Sequence, residues 1–147
     1  MNKVIVTVIG SQKDAAGEEN SIKMVAQGKH YCRNGMNYVL YEDTSLSGEQ
    51  GTSTLLKIAD DSLTLLRQGA VVQEQYFAKA EESASVYKTP YGELNLSIKT
   101  KDIDIVYGSI SGNISINYDL SINGQWQSSN TLQIDICADQ TENKNLN

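Results

Sequence analysis

"GNISINYDLSINGQWQSSNTLQIDIC", residues 112–137, decides the fold. Between 110 and 122 the even positions are Ile110, Gly112, Ile114, Ile116, Tyr118, Leu120 and Ile122, and the odd positions are Ser111, Asn113, Ser115, Asn117, Asp119 and Ser121. Strand side chains alternate faces with period two, so this is a strand with one dry and one wet face. Leu132, Ile134 and Ile136 resume the even pattern after "ING", which makes the pair a hairpin. A two-residue Asn123-Gly124 turn pairs Ile122 with Gln125 and puts opposite parities on one face. A three-residue loop, Ile122-Asn123-Gly124, pairs Ser121 with Gln125, sets Leu120 opposite Trp126 and Ile114 opposite Leu132, and keeps the even residues together. Gly124 then takes the left-handed position. The same reasoning at "RNG" favours a loop of Arg33-Asn34-Gly35, with Ile22, Met24 and Ala26 sharing a face with Met36, Tyr38 and Leu40. The two-residue alternative there calls for a compensating bulge, for instance at Gly28.

Turn signals recur at short intervals along the rest of the chain, among them "DAAGEEN", "SLSGEQGT", "DDS", "TPYG" and "YGSISG". Short strands between such signals indicate an all-β barrel or sandwich. Ten strands are predicted, at about 3–12, 20–32, 36–44, 52–60, 62–68, 70–80, 84–89, 93–107, 109–121 and 125–137. The best helical candidate, "STLLKIADDSLTLLRQ", is split by Asp60-Asp61-Ser62 into two strand-sized halves. The strand at 93–107 changes phase: Leu94, Leu96 and Ile98 are even, and Ile103, Ile105 and Tyr107 are odd. A one-residue bulge within "KTKD", residues 99–102, returns the second set to the inside and bends the strand. Short sequential connections give an antiparallel up-and-down order. Ten alternating strands leave the first and last antiparallel and able to close a barrel. The expected fold is all-β, a barrel of eight to ten strands in one domain over 1–138, with a polar tail at 139–147. So many strands enclose more room than their own side chains easily fill.

Composition narrows the function classes. The 147 residues carry a formal net charge of −6, with 39% hydrophobic and 20% charged residues, as in ordinary globular domains. Lys and Arg are scattered singly, which argues against nucleic acid and anionic membrane surfaces. No run approaches the roughly 20 apolar residues of a membrane span. "MNKVIVTVIG" is too short and too alternating for a signal peptide, so it reads as the first strand of a cytoplasmic protein. Two cysteines, Cys32 and Cys137, form no CxxC or Cys/His cluster, and one histidine makes a metal centre improbable. No cofactor motif and no catalytic set is present.

"GKHYCRNGMNYVLYEDT", "LLRQGAVVQEQYF", "TPYGELNLSIKT" and "GNISINYDLSING", in this order, resemble the YwiB-like family, a bacterial domain-of-unknown-function family with a calycin-like, or lipocalin-like, β-barrel. The resemblance covers roughly residues 3 to 137. It implies the barrel and a bacterial cytoplasmic protein, and no activity, ligand or catalytic residue. Two departures from better-known calycins stand out. Lipocalins carry Gly-x-Trp in the first strand, whereas Trp126 lies in the last. Fatty-acid-binding barrels hold the ligand carboxylate with Arg and Tyr near the C-terminus, and no Arg follows Arg67 here.

The candidate ligand-binding residues are Glu42, Tyr91, Tyr118, Trp126, Tyr38 and His30. With the register above, Glu42 faces inward beyond Leu40, and Tyr118, Trp126, Ser128 and Asn130 share an inner face. Tyr91 tops the turn after Pro90, and "SLSGEQG" overhangs that end. A carboxylate among Tyr hydroxyls and a Trp suits a small apolar or amphipathic ligand, or equally a wet barrel rim. His30 and Cys32 face inward at the other end, His30 opposite Tyr38. Side by side on one strand, roughly 6–7 Å apart, they make a poor nucleophilic pair. Cys137 points outward, out of disulfide reach. Arg67 and Glu74 read as a diagonal surface ion pair across a Gly69-Ala70 turn. The expected function is non-catalytic binding of a small ligand. The alternative is an interaction or homodimeric scaffold with a filled barrel, motivated by apolar Ile5 and Ile9 on the outer side of the first strand.

Overall fold

Period-two alternation runs through the chain, and every regular element among the described residues is a strand. The structure, a computed structural model, describes residues 1–43 and 52–139. Its ten strands are β1 (Asn2–Asp14), β2 (Glu19–Arg33), β3 (Met36–Asp43), β4 (Thr52–Ile58), β5 (Ser62–Gly69), β6 (Gln73–Ala78), β7 (Glu82–Thr89), β8 (Gly92–Tyr107), β9 (Gly112–Ile122) and β10 (Gln125–Ala138). The predicted bounds match these closely. The helical candidate resolves into β4 and β5, joined at Asp60-Asp61, where the Ala59 amide donates to the Ser62 carbonyl at 2.9 Å. The expected tail lies outside the described residues from 140 onward, as does the 45–51 connection expected over one end.

The strands form a single antiparallel sheet in the order β6-β5-β4-β3-β2-β1-β10-β9-β8-β7. The meander closes as expected: β1 pairs with β10 from Val4↔Ala138 to Asp14↔Ser128, so the first and last strands have no free edge between them. The sheet's two nominal edges, β6 and β7, then meet. Their seam holds one main-chain bridge, Val72↔Lys88. The rest is side chains. Gln75, 2% exposed, donates to Ser83 Oγ at 2.7 Å and accepts from Ser85 Oγ at 2.8 Å, while Ser83 Oγ donates to the Tyr76 carbonyl at 2.7 Å. A glutamine amide, a donor and an acceptor in one plane, thus covers a stretch where the strands stand too far apart for a ladder.

The phase jump in β8 is the bulge the sequence calls for. Pairing with β9 shifts between Thr100 and Asp102, leaving Lys101 unpaired in the ladder, and Ile103 resumes opposite Ile116. Lys101 turns outward onto Asp119, Nζ to Oδ1 3.3 Å. A second bulge lies in β10 between Trp126 and Ser128. Both bulged strands flank β9, so the wall bends on either side of Tyr118 and Leu120.

Two hairpin registers differ from expectation. At Asn34-Gly35 the turn has two residues, with Arg33 opposite Met36 and φ of 53° and 76°. At Asn123-Gly124 it also has two, with Ile122 opposite Gln125 and φ of 51° and 85°. Positive φ at both central residues is the type I′ geometry that Asn-Gly favours because its twist matches the strands. In the second hairpin the Gln127 bulge repairs the parity, so Leu132 faces Ile116, and Ser128, not Trp126, faces Leu120. In the first no bulge follows. The inner face of β3 is instead odd: Val39 and Tyr41 are buried, and Tyr38, Leu40 and Glu42 point outward. Gly28 is a close approach and not a bulge, since a Cβ there would lie 2.9 Å from the Leu40 carbonyl oxygen and 3.2 Å from Val6 Cγ2.

The core is contributed from around the barrel: Val4, Val6, Val39, Leu56, Ile58, Leu63, Ile114, Ile116, Ile134 and Ile136, on β1, β3, β4, β5, β9 and β10, are almost wholly buried.

Candidate functional site

Ten strands enclose more than aliphatic side chains fill, and the remainder is a cavity of about 200 Å³. Its wall is apolar, with Leu65, Phe77, Leu96, Ile98, Leu120 and Leu132 among the lining residues. Its polar groups are few: Arg67, Gln73, Gln75, and the phenols of Tyr41, Tyr87 and Tyr118. Phe77 meets the Tyr118 ring edge-on, with centroids 5.3 Å apart.

Arg67 faces inward because β5 buries its odd positions, Leu63 and Leu65, and Arg67 follows in phase. It pairs with Thr54 on β4 and Gln73 on β6, both neutral. Glu74 sits opposite Leu66 on the outer face, so the expected Arg67–Glu74 surface pair does not form. The β5–β6 connection is longer than a two-residue turn, which moves Gln73 into the place expected for Val72. The Arg67 Nε is buried without a hydrogen-bond partner among the described residues, and no described carboxylate pairs with its guanidinium.

Tyr118 lies across the cavity on β9, between Thr100 on β8 and Asn130 on β10. Burial pushes its hydroxyl above the usual tyrosine value, while a hydrogen bond from Asn130 and the Arg67 charge pull partly back. The phenol therefore stays protonated and able to donate. Thr100 Oγ1, Ser128 Oγ and Asn130 Oδ1 are also buried without partners among the described residues. Such groups cost free energy unless water or a ligand meets them. Thr100 and Asn130 flank Tyr118 and Ser128 stands opposite Leu120, beside the two bulges, while of the four residues only Arg67 lines the cavity itself.

His30, 1% exposed, belongs to the other part of the interior. It sits opposite Val39, not Tyr38. Its Nε2 lies 2.9 Å from Asn37 Oδ1 and its Nδ1 3.1 Å from Asn2 Nδ2, which a neutral ring protonated at Nε2 satisfies at both nitrogens. It stacks on Tyr107 at 5.6 Å, and the Tyr107 hydroxyl donates to the Ile110 carbonyl at 2.8 Å. Burial pushes the Tyr107 pKa up to about 12. Gly112 makes room for that ring: a Cβ there would fall 2.4 Å from Tyr107 Cδ2. Every polar atom of this cluster that faces inward has a protein partner, so His30 is a structural residue of the packed core.

The remaining expected site residues do not converge. Tyr38 stacks on Tyr31 at 4.8 Å on the outer face. Glu42 is exposed on the same face, so this carboxylate lies outside the barrel and not inside as expected, while Arg67 lines the interior. Tyr91 is 99% exposed at the tip of the β7–β8 turn, and Trp126 is 47% exposed beside the β9–β10 turn. Cys32 keeps the inward parity but ends exposed one residue from the end of β2, and Cys137 is exposed as expected; both are free thiols. Of the six candidates, only Tyr118 lines the cavity. A wider groove of about 750 Å³ on the wet face is lined by Ser11, Lys13, Glu19, Lys101, Asn117 and Ser129, among others. Its charges are already matched, Lys13 to Glu19 at 4.0 Å and Lys101 to Asp119. Among the described residues no group of three or more His, Cys, Asp or Glu is placed to hold a metal ion, and no helix is long and apolar enough to cross a membrane.

Fold and interior define a class: a nearly closed, ten-stranded up-and-down barrel with a small amphipathic hollow. The chain belongs to the family described as Domain of unknown function (DUF1934), which matches residues 6–134. It is 28% identical over 106 residues to the uncharacterized beta-barrel protein YwiB of Bacillus subtilis (strain 168), covering 72% of this chain and 73% of that one. The crystal structure of the ywiB protein from Bacillus subtilis shares the fold, with a TM-score of 0.83 over 94% of this chain and 92% of the other at 24% identity. The resemblance to the YwiB-like family, and the barrel it implies, are thereby borne out.

Proposed function

We propose that this protein is a non-catalytic, calycin-like barrel that takes a small amphipathic molecule into its interior, between the apolar wall and Arg67 with Tyr118. The observation that carries this reading is a hollow whose wall is mainly apolar and holds Tyr118 and Arg67, the Nε of which is buried without a partner among the described residues. Apolar wall with a few placed polar groups is the general make-up of a small-molecule site. The volume is that of a small ligand: a 150 Å³ cavity accepts benzene, so this one suits roughly eight to ten non-hydrogen atoms. Tyr91 and Trp126, exposed at neighbouring turns of one barrel end, then flank the route in. Protein-observed NMR titration with small aliphatic and aromatic acids, alcohols and amines tests it. Shifts confined to Leu65, Phe77, Leu120 and Leu132 support it. A panel without effect on these residues, while the ligand-free protein keeps its native spectrum, overturns it.

A homodimeric scaffold is the second reading. It is favoured by Val25, 59% exposed, which with Ile5 and Ile9 makes an apolar strip on the outer face of β1 and β2 around Thr7. Light scattering that finds a monomer at every concentration removes it.

A further inference from the structure

We propose that Arg67 is a carboxylate anchor, so that the ligand class is a small organic monocarboxylic acid whose apolar body fills the cavity. The inference rests on the reading of the interior as a ligand site and adds the charge of what enters it. A guanidinium stays protonated in any protein environment, so its burial cannot be relieved by losing the proton. Here it is turned into an apolar-walled hollow, its strand neighbours Thr54 and Gln73 are neutral, and Glu74 faces away. A half-buried guanidinium with a buried, unpartnered Nε and no counter-ion among the described side chains bears a desolvation cost, and an incoming anion reduces that cost.

The surrounding donors point the same way. The Tyr118 hydroxyl and the Gln73 amide can each donate to an oxygen held on the guanidinium, and both line the same cavity as Arg67. Burial keeps the Tyr118 phenol protonated in the range where a carboxylic acid is ionised. A carboxylate is planar, carries one charge, and matches the guanidinium fork with two parallel hydrogen bonds. One cation compensates one charge, so a dianionic phosphate in this apolar-walled space is left half neutralised. Five carbons and a carboxylate, about eight non-hydrogen atoms, match the available volume.

The test compares hexanoate, 1-hexanol and hexylamine, three probes of nearly equal apolar body, by NMR titration of the unaltered protein and of Arg67→Gln. Hexanoate is expected to bind about tenfold or more tighter than hexanol, with hexylamine weakest, as a charge-assisted hydrogen-bond pair dictates. Arg67→Gln is expected to remove that advantage, so that hexanoate binds no tighter than hexanol. Equal binding of hexanoate and hexanol by the unaltered protein overturns the carboxylate assignment while the amphipathic site stands. Binding of none of the three at the cavity residues overturns both. Should Arg67→Gln fail to fold, the contrast among the probes on the unaltered protein still decides.

Discussion

Two parts of one barrel interior solve the same packing problem differently. Around Ile114, Ile134, Ile136, Leu56 and Leu63 the strands bury aliphatic side chains almost completely, and the His30–Tyr107 stack closes the layer with its polar atoms satisfied by Asn37, Asn2 and Ile110. Around Tyr118 and Arg67 the same wall encloses a hollow, and the Arg67 Nε lies buried there without a partner among the described residues. Nothing in barrel geometry demands the second arrangement. A leucine in place of Arg67 would fill it at lower cost, so the contrast separates what the fold needs from what an occupant needs.

The largest effect that sharpens this contrast comes from truncation. Ile114→Ala in the packed part is expected to cost about 2–5 kcal/mol in urea unfolding, because its cavity cannot relax. Leu120→Ala, on the wall of the existing hollow, is expected to cost roughly 2 kcal/mol less, since fewer contacts are lost. Equal costs would break the distinction. Next is the seam. Gln75→Ala removes the amide's bonds to Ser83 and Ser85 and is expected to cost about 1–3 kcal/mol, with hydrogen exchange rising first in β6 and β7. The third effect has the opposite sign. Arg67→Leu is expected to raise the stability of the ligand-free protein by about 1 kcal/mol or more, because an unpaired cation gives way to apolar packing. A loss of stability would mean that the guanidinium is satisfied within the fold.

The smallest effect belongs to the packed part. The Tyr107 pKa in the folded protein, about 12, lies above its ordinary value of 10.0. The unfolded chain therefore releases this proton first as pH rises. The contribution is fully present below pH 10, falls between pH 10 and 12, and is gone above it. Tyr107→Phe is expected to cost about 0.5–1.5 kcal/mol at neutral pH through loss of the bond to Ile110, and to flatten that alkaline fall. Unfolding curves of both proteins across this range check it.

Much of the architecture was legible because strands advertise themselves by parity. The even run in β9 and the phase jump in β8 are local patterns, and a bulge is the physical cause that fits the jump. The hairpins misled for an identifiable reason. β3 carries apolar residues at both parities, Val39, Leu40 and Tyr41, so face-sharing could not choose the loop length. The preference of Asn-Gly for a two-residue turn was the stronger force, and it reversed the orientation of Tyr38 and Glu42. The site was harder to read. Arg67 follows Leu63 and Leu65 in phase, a signal for the inner face, but Leu66 beside them blurs the alternation and a charged residue defaults to the surface. Tyr118 was readable because its strand is unambiguous.

A crystal structure of the protein, grown without added organic acids, puts the hollow itself to the test. The expected result is Arg67 directed into the barrel beside Tyr118, with electron density for an anion or ordered water on its guanidinium. Arg67 extended into solvent, with the interior around Tyr118 closed by neighbouring side chains, would contradict it.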